Sequence, residues 1–79
     1  MEVRDILASN LRRLRREKKW TQEEFAHRAG IARDYLSKLE NSRKEAGLDI
    51  LPKLADALGV TPAELLTPFP KTKGATKPK

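Results

Sequence analysis

The stretch TQEEFAHRAGIARDYLSKLENSRK, residues 21–44, decides the fold of this 79-residue chain. It opens on Thr21-Gln22-Glu23-Glu24, where the Thr21 hydroxyl can accept from the Glu24 N–H while the Glu24 carboxylate reaches back. Such a capping box contributes about 1 kcal/mol and marks a helix start. Trp20 and Phe25 stand at the two staple positions around it, and Glu23 and Glu24 suit the positive end of a helix dipole. The helix is short, because Gly30 after Ala29 supplies the left-handed conformation that closes it. Only Ile31 and Ala32 then precede a second helical pattern, Arg33 to Asn41, with Leu36 and Leu39 inward and Arg33, Asp34, Ser37, Lys38 and Asn41 outside. Two helices joined by so short a turn must cross steeply, and Ala26 keeps room where they approach most closely.

Outward from this pair, the pattern stays helical. Upstream, Leu7, Leu11 and Leu14 recur at i, i+4 and i+7 with arginines on their flanks, which predicts an amphipathic helix from Val3 to Lys18. Downstream, after the polar loop at residues 42–47, Leu51, Leu54, Ala55 and Leu58 predict a fourth helix ended by Gly59. Pro52 is tolerated only in a first turn, so the expected cap is Asp49 and the expected start Ile50. Thr61-Pro62-Ala63-Glu64-Leu65-Leu66 repeats the capping box with proline at the first helical position, and Pro68 stops this fifth helix. The expectation is one all-α domain over residues 1–67, with a helix-turn-helix at its second and third helices. Residues 68–79 form a basic tail with too little apolar surface to fold.

Composition narrows the function. The length suits a single small domain and excludes most enzymes. The chain has no cysteine and one histidine, His27, so neither a disulfide staple nor a metal site is expected. There is no G-x-S-x-G and no acid with an obvious route to His27, so no catalytic residue and no cofactor is expected. No apolar run approaches the ~18 residues of a membrane span, and Glu2 and Asp5 stand where a signal peptide would be basic and then apolar; the expected setting is cytoplasmic. The net charge of +6 points to a polyanion, but four lysines of the tail carry two-thirds of it. Within the body, Arg12 to Lys19 is strongly basic and Glu45 to Thr67 is acidic, so one end can face phosphate while the other faces something else.

Residues 21–44, with LRRLRREKK before them and LPKLADALGVTPAELL after them, resemble the Cro and phage-repressor (XRE-like) helix-turn-helix family over about residues 4–67. The shared features are the polar cap with Gln22, Ala26, Gly30 at the turn, Ile31 after it, and inward Leu36 and Leu39. The resemblance implies a compact five-helix, lambda-repressor-like domain that binds double-stranded DNA and regulates transcription.

It also implies roles for particular side chains. Arg33, Asp34, Ser37 and Lys38 on the third helix are candidates for reading bases in the major groove, Arg33 and Lys38 as donors to guanine and Asp34 as an acceptor from cytosine N4 or, in preference, as an orienter of Arg33, since an acid in the groove is repelled by phosphate. Ala32 stands where the family often carries a Ser or Thr cap, which leaves a methyl group to touch thymine. Gln22 matches the glutamine that binds backbone phosphate at a helix N-terminus, and Tyr35, Asn41, Arg43 and Lys44 are further phosphate candidates. Ser42 replaces the glycine common after this helix. Arg15 and Glu40 match a family pair that forms a structural ion pair. Arg12 and Arg16 read as general basic surface or plain solvated charges, and each of the base-reading candidates is otherwise a solvated surface residue.

A module this small offers few base contacts, so a homodimer on an operator of two half-sites is the expected state, with Val60, Leu65, Leu66 and Phe69 as its interface. The alternatives are an antitoxin-type module that binds a toxin and represses its own operon, and a nonspecific architectural binder.

Overall fold

The computed structural model describes residues 2–68, and all five elements among them are helical: α1 (Val3–Glu17), α2 (Gln22–Ala29), α3 (Arg33–Glu40), α4 (Leu51–Leu58) and α5 (Pro62–Leu65). Helix α1 lies against α3 and α5, α2 against α3 and α4, and α4 against α5. Leu7 and Leu11 of α1, Phe25, Ala26 and Ala29 of α2, Leu36 and Leu39 of α3, Leu54, Ala55 and Leu58 of α4, and Leu65 of α5 form one core. No helix among the described residues is long and apolar enough to cross a membrane.

Four of the five helices end in the same way, with a left-handed residue and paired backbone bonds from the residues that follow to the last turn. Gly30 (φ +73°) closes α2, with Ile31 N–H donating to the Ala26 carbonyl at 3.0 Å, and Gly59 (φ +74°) closes α4, with Val60 N–H donating to Ala55 at 3.0 Å. The other two closures use residues that carry side chains. Lys19 (φ +61°) follows α1, and Ser42 (φ +60°) follows α3, where Arg43 N–H donates to the Lys38 carbonyl at 2.9 Å. Ser42 thus adopts a conformation that glycine takes without strain and that costs an L-residue about 1–2 kcal/mol. Trp20, Ile31 and Val60, the residues just beyond three of these closures, pack against the core.

The two Thr-x-x-Glu starts differ. At α5 the box is complete: Thr61 Oγ1 accepts from Glu64 N–H at 3.2 Å, and Glu64 Oε1 accepts from Thr61 N–H at 2.8 Å. At α2 only the threonine half forms, with Glu24 N–H donating to Thr21 Oγ1 at 3.0 Å. The Glu24 carboxylate pairs instead with Arg28 one turn on, at 2.6 Å. The start of α4 also departs from expectation. Ile50, not Asp49, occupies the cap position, in helical conformation and without a side-chain cap. The Gly47 carbonyl accepts from both Ile50 and Leu51 N–H at 3.0 Å, so a backbone turn leads into the helix.

Candidate nucleic-acid interface

Helix α3 is divided lengthwise by burial. Leu36, Leu39 and Glu40 are buried, whereas Arg33, Asp34 and Lys38 are exposed and Ser37 is half-buried. Ala32 caps the helix without a side-chain hydrogen bond, so the first backbone N–H groups of α3 open to solvent beside an exposed methyl group. The Arg33 guanidinium lies 4.0 Å from the Asp34 carboxylate, close enough to be steered by it. Asn41, Arg43 and Lys44 stand exposed just beyond the helix, and Asn41 Nδ2 donates to Ser37 Oγ at 3.4 Å. Tyr35 is half-buried: its hydroxyl accepts from Gly47 N–H at 3.4 Å, and Lys44 Nζ sits 5.7 Å from its ring centroid. The ring therefore backs the loop that carries Arg43 and Lys44.

Beneath this face lies a buried polar junction. Glu40 is 1% exposed, and its carboxylate accepts from Arg15 in a two-pronged pair, Nε to Oε2 at 2.8 Å and Nη2 to Oε1 at 3.0 Å. Arg15 also donates to the Trp20 carbonyl at 2.9 Å, holding the chain that enters α2. Gln22 adds a third donor, Nε2 to Glu40 Oε1 at 3.1 Å. Arg12 donates to the Glu40 backbone carbonyl, one of the last carbonyls of α3 that have no partner within the helix. Arg12 is thus a half-buried structural contact and not the plain basic surface expected of it, because α1 passes close to the end of α3. Arg16 is exposed.

A second junction went unread in the sequence. Asn10 is buried, and its amide donates to the carbonyls of Leu65 at 2.8 Å, Thr67 at 2.9 Å and Glu64 at 3.3 Å. It ties the end of the four-residue α5 to α1. The signal was present, since Asn10 falls on the apolar stripe of Leu7, Leu11 and Leu14. Trp20 also has neighbours beyond its staple partner: the Phe25 ring lies 6.0 Å away, and the Arg28 guanidinium packs 4.6 Å from the indole centroid.

The residues expected at a dimer interface separate. Leu65 has no exposed surface, because α5 turns it into this chain's own core, so it cannot meet a second copy. Val60 is half-buried against the core, Leu66 is exposed, and Phe69 and the rest of the basic tail after Pro68 lie outside the described residues. His27 is exposed on α2.

Known proteins share this sequence and this fold. The family described as Helix-turn-helix matches residues 11–65. An uncharacterized HTH-type transcriptional regulator of Sinorhizobium fredii, y4dJ, is 46% identical over 77 residues, covering 98% of this chain and 100% of that one. The control protein C.SmaI of Serratia marcescens is 34% identical over 67 residues, 85% of this chain and 80% of that one. Among solved structures, a hypothetical transcription factor from Neisseria superposes with a TM-score of 0.83 at 40% identity, over 91% of this chain and 82% of that one. SinR, a master regulator for biofilm formation solved in complex with DNA, has a TM-score of 0.74 at 29% identity, over 77% of this chain and 98% of that one. The chain therefore belongs to the helix-turn-helix family, whose members are DNA-binding regulators of transcription and not enzymes.

Proposed function

We propose that this chain binds a particular double-stranded DNA sequence as a homodimer on two related half-sites and thereby represses or autoregulates a promoter. The observation that carries the reading is the division of α3: one face is locked into the core, and the other presents Arg33, Asp34 and Lys38 to solvent from a rigid helix. A helix with one face so anchored can enter a major groove, where Arg33 and Lys38 donate to guanine O6 and N7, Asp34 steers Arg33, and the Ala32 methyl and Ser37 hydroxyl complete the base-facing set. Phosphates flank it at both ends of the motif. Gln22 and the free N–H groups of α2 receive one, and Asn41, Arg43 and Lys44, with the loop backed by Tyr35, receive another.

Pairing two copies doubles the few base contacts one copy can make. The surface left for this purpose near α5 is that of Val60 and Leu66, in the acidic segment of residues 45–67. The toxin-binding alternative finds no support among the relatives, which are regulators and control proteins.

The test is fluorescence anisotropy with labelled duplexes from the region upstream of the protein's own gene and with random duplexes, over a range of salt. Preference for the upstream duplex at every salt concentration is the expected result. Equal affinity throughout would leave only nonspecific phosphate binding and would sink the sequence-specific reading.

A further inference from the structure

We infer that Glu40 is a positioning residue for the phosphate contact of Gln22, so that affinity for DNA depends on a carboxylate buried away from the DNA-facing surface. The inference rests on the DNA-binding reading above and adds to it how the α2 end of the motif is set before DNA arrives.

An ionised carboxylate only accepts hydrogen bonds. Glu40 Oε1 takes one from Gln22 Nε2 at 3.1 Å, and turning the Gln22 amide over would place its carbonyl oxygen against that carboxylate instead. The amide is therefore held in one orientation. Its nitrogen carries two protons, and Glu40 takes one of them. The other remains at the half-buried first position of α2, beside backbone N–H groups that have no partner within the helix, where an anion is favoured. Arg15 neutralises Glu40 through both carboxylate oxygens, so an approaching phosphate meets a balanced pair and not a bare negative charge. An unanchored glutamine would lose rotamer freedom on binding DNA, whereas here that freedom is lost on folding.

The same residue sets the distance between the two phosphate-facing ends. Through Arg15 it holds the Trp20 carbonyl just before α2, and its own carbonyl, held by Arg12, ends α3 one residue before Asn41.

A double-mutant cycle separates this role from simple support of the fold. In the otherwise unaltered chain, Gln22→Ala lowers affinity for every duplex by about three- to tenfold. In the Glu40→Gln background, which keeps the side-chain volume and removes the charge, the same change costs less than about twofold, because Arg15 claims the one acceptor oxygen left and the Gln22 amide then faces an NH2 group that no longer holds its orientation. The ratio of affinities for two different duplexes stays the same in all four proteins. An equal loss from Gln22→Ala in both backgrounds overturns the inference.

A second measurement needs no variant. Gln22 is the chain's only glutamine, so its side-chain amide is readily assigned by NMR. In the protein without DNA, one amide proton should resonate downfield of a free glutamine, and both should move on addition of a duplex. Free-glutamine shifts in a chain that binds duplex would overturn the positioning role alone. Failure of the chain to bind any duplex would overturn the DNA-binding reading with it.

Discussion

Two buried polar side chains hold this domain together along α1, one at its middle and one at its C-terminal end, and they do so by different chemistry. Near the C-terminal end, Glu40 gathers Arg15 and Gln22 around a charge. Near the middle, Asn10 offers a neutral amide to three carbonyls at the end of α5. A buried charge is tolerated only while its partner is present, so the Glu40 junction is all-or-none. A neutral amide loses less when disturbed, since the carbonyls it serves can turn toward water at the edge of a four-residue helix. The charged junction sits under the elements proposed to face DNA, and the neutral one fastens the end proposed for pairing with a second copy. Geometry under α3 is thus expected to be held more stiffly than geometry at α5.

The largest effect expected from that difference is with Glu40→Ala, which leaves the Arg15 guanidinium, itself only 13% exposed, without its counter-charge. Loss of about 3–5 kcal/mol is expected, measured by urea unfolding, and an unchanged unfolding midpoint would mean that the pair is not a structural element. Asn10→Ala should cost about 1–3 kcal/mol. Amide hydrogen exchange should rise first in residues 61–67 and leave α3 protected. Exchange rising equally along α3 would erase the contrast between the two ends.

Arg33→Ala sharpens the comparison from the other side, since it touches neither junction. Stability should hold while specific DNA binding falls by about 1–3 kcal/mol and preference relaxes at particular base pairs. Equal loss for specific and random duplexes would remove Arg33 from the base-reading set. The smallest effect is expected from Ser42→Gly, which relieves the left-handed strain at φ +60° and should raise stability by about 0.5–1 kcal/mol, seen as a modest rise in the thermal midpoint. A fall would show that the Ser42 side chain holds the loop that carries Arg43 and Lys44.

How much of this was legible depends on how far apart the partners lie along the chain. Gly30 and Gly59 announced two helix ends because glycine adopts positive φ without strain, whereas Lys19 and Ser42 close helices in the same way without any such signal. The Arg15–Glu40 pair was legible only through resemblance to a family. Gln22 came with a phosphate role, and nothing local pointed to its bond with Glu40, 18 residues away. Leu65 read as a spare apolar residue fit for an interface, but the direction of α5 is set by Asn10 and by packing on α1 and α4, and that direction turns Leu65 inward.

The sequence by itself determined the five helices, the tight turn between α2 and α3, and the outward set on α3, because caps, helix periodicity and glycine closures act over three or four residues. It also carried two identical Thr-x-x-Glu starts. Only the tertiary structure decided that Glu64 completes its box while Glu24 turns to Arg28, whose guanidinium stacks on Trp20. Only the tertiary structure supplied the carbonyls that Asn10 meets and the Gln22 amide that Glu40 meets. A buried polar group must find its partners wherever the fold brings donors and acceptors together, here up to 57 residues apart, and no local rule reaches that distance.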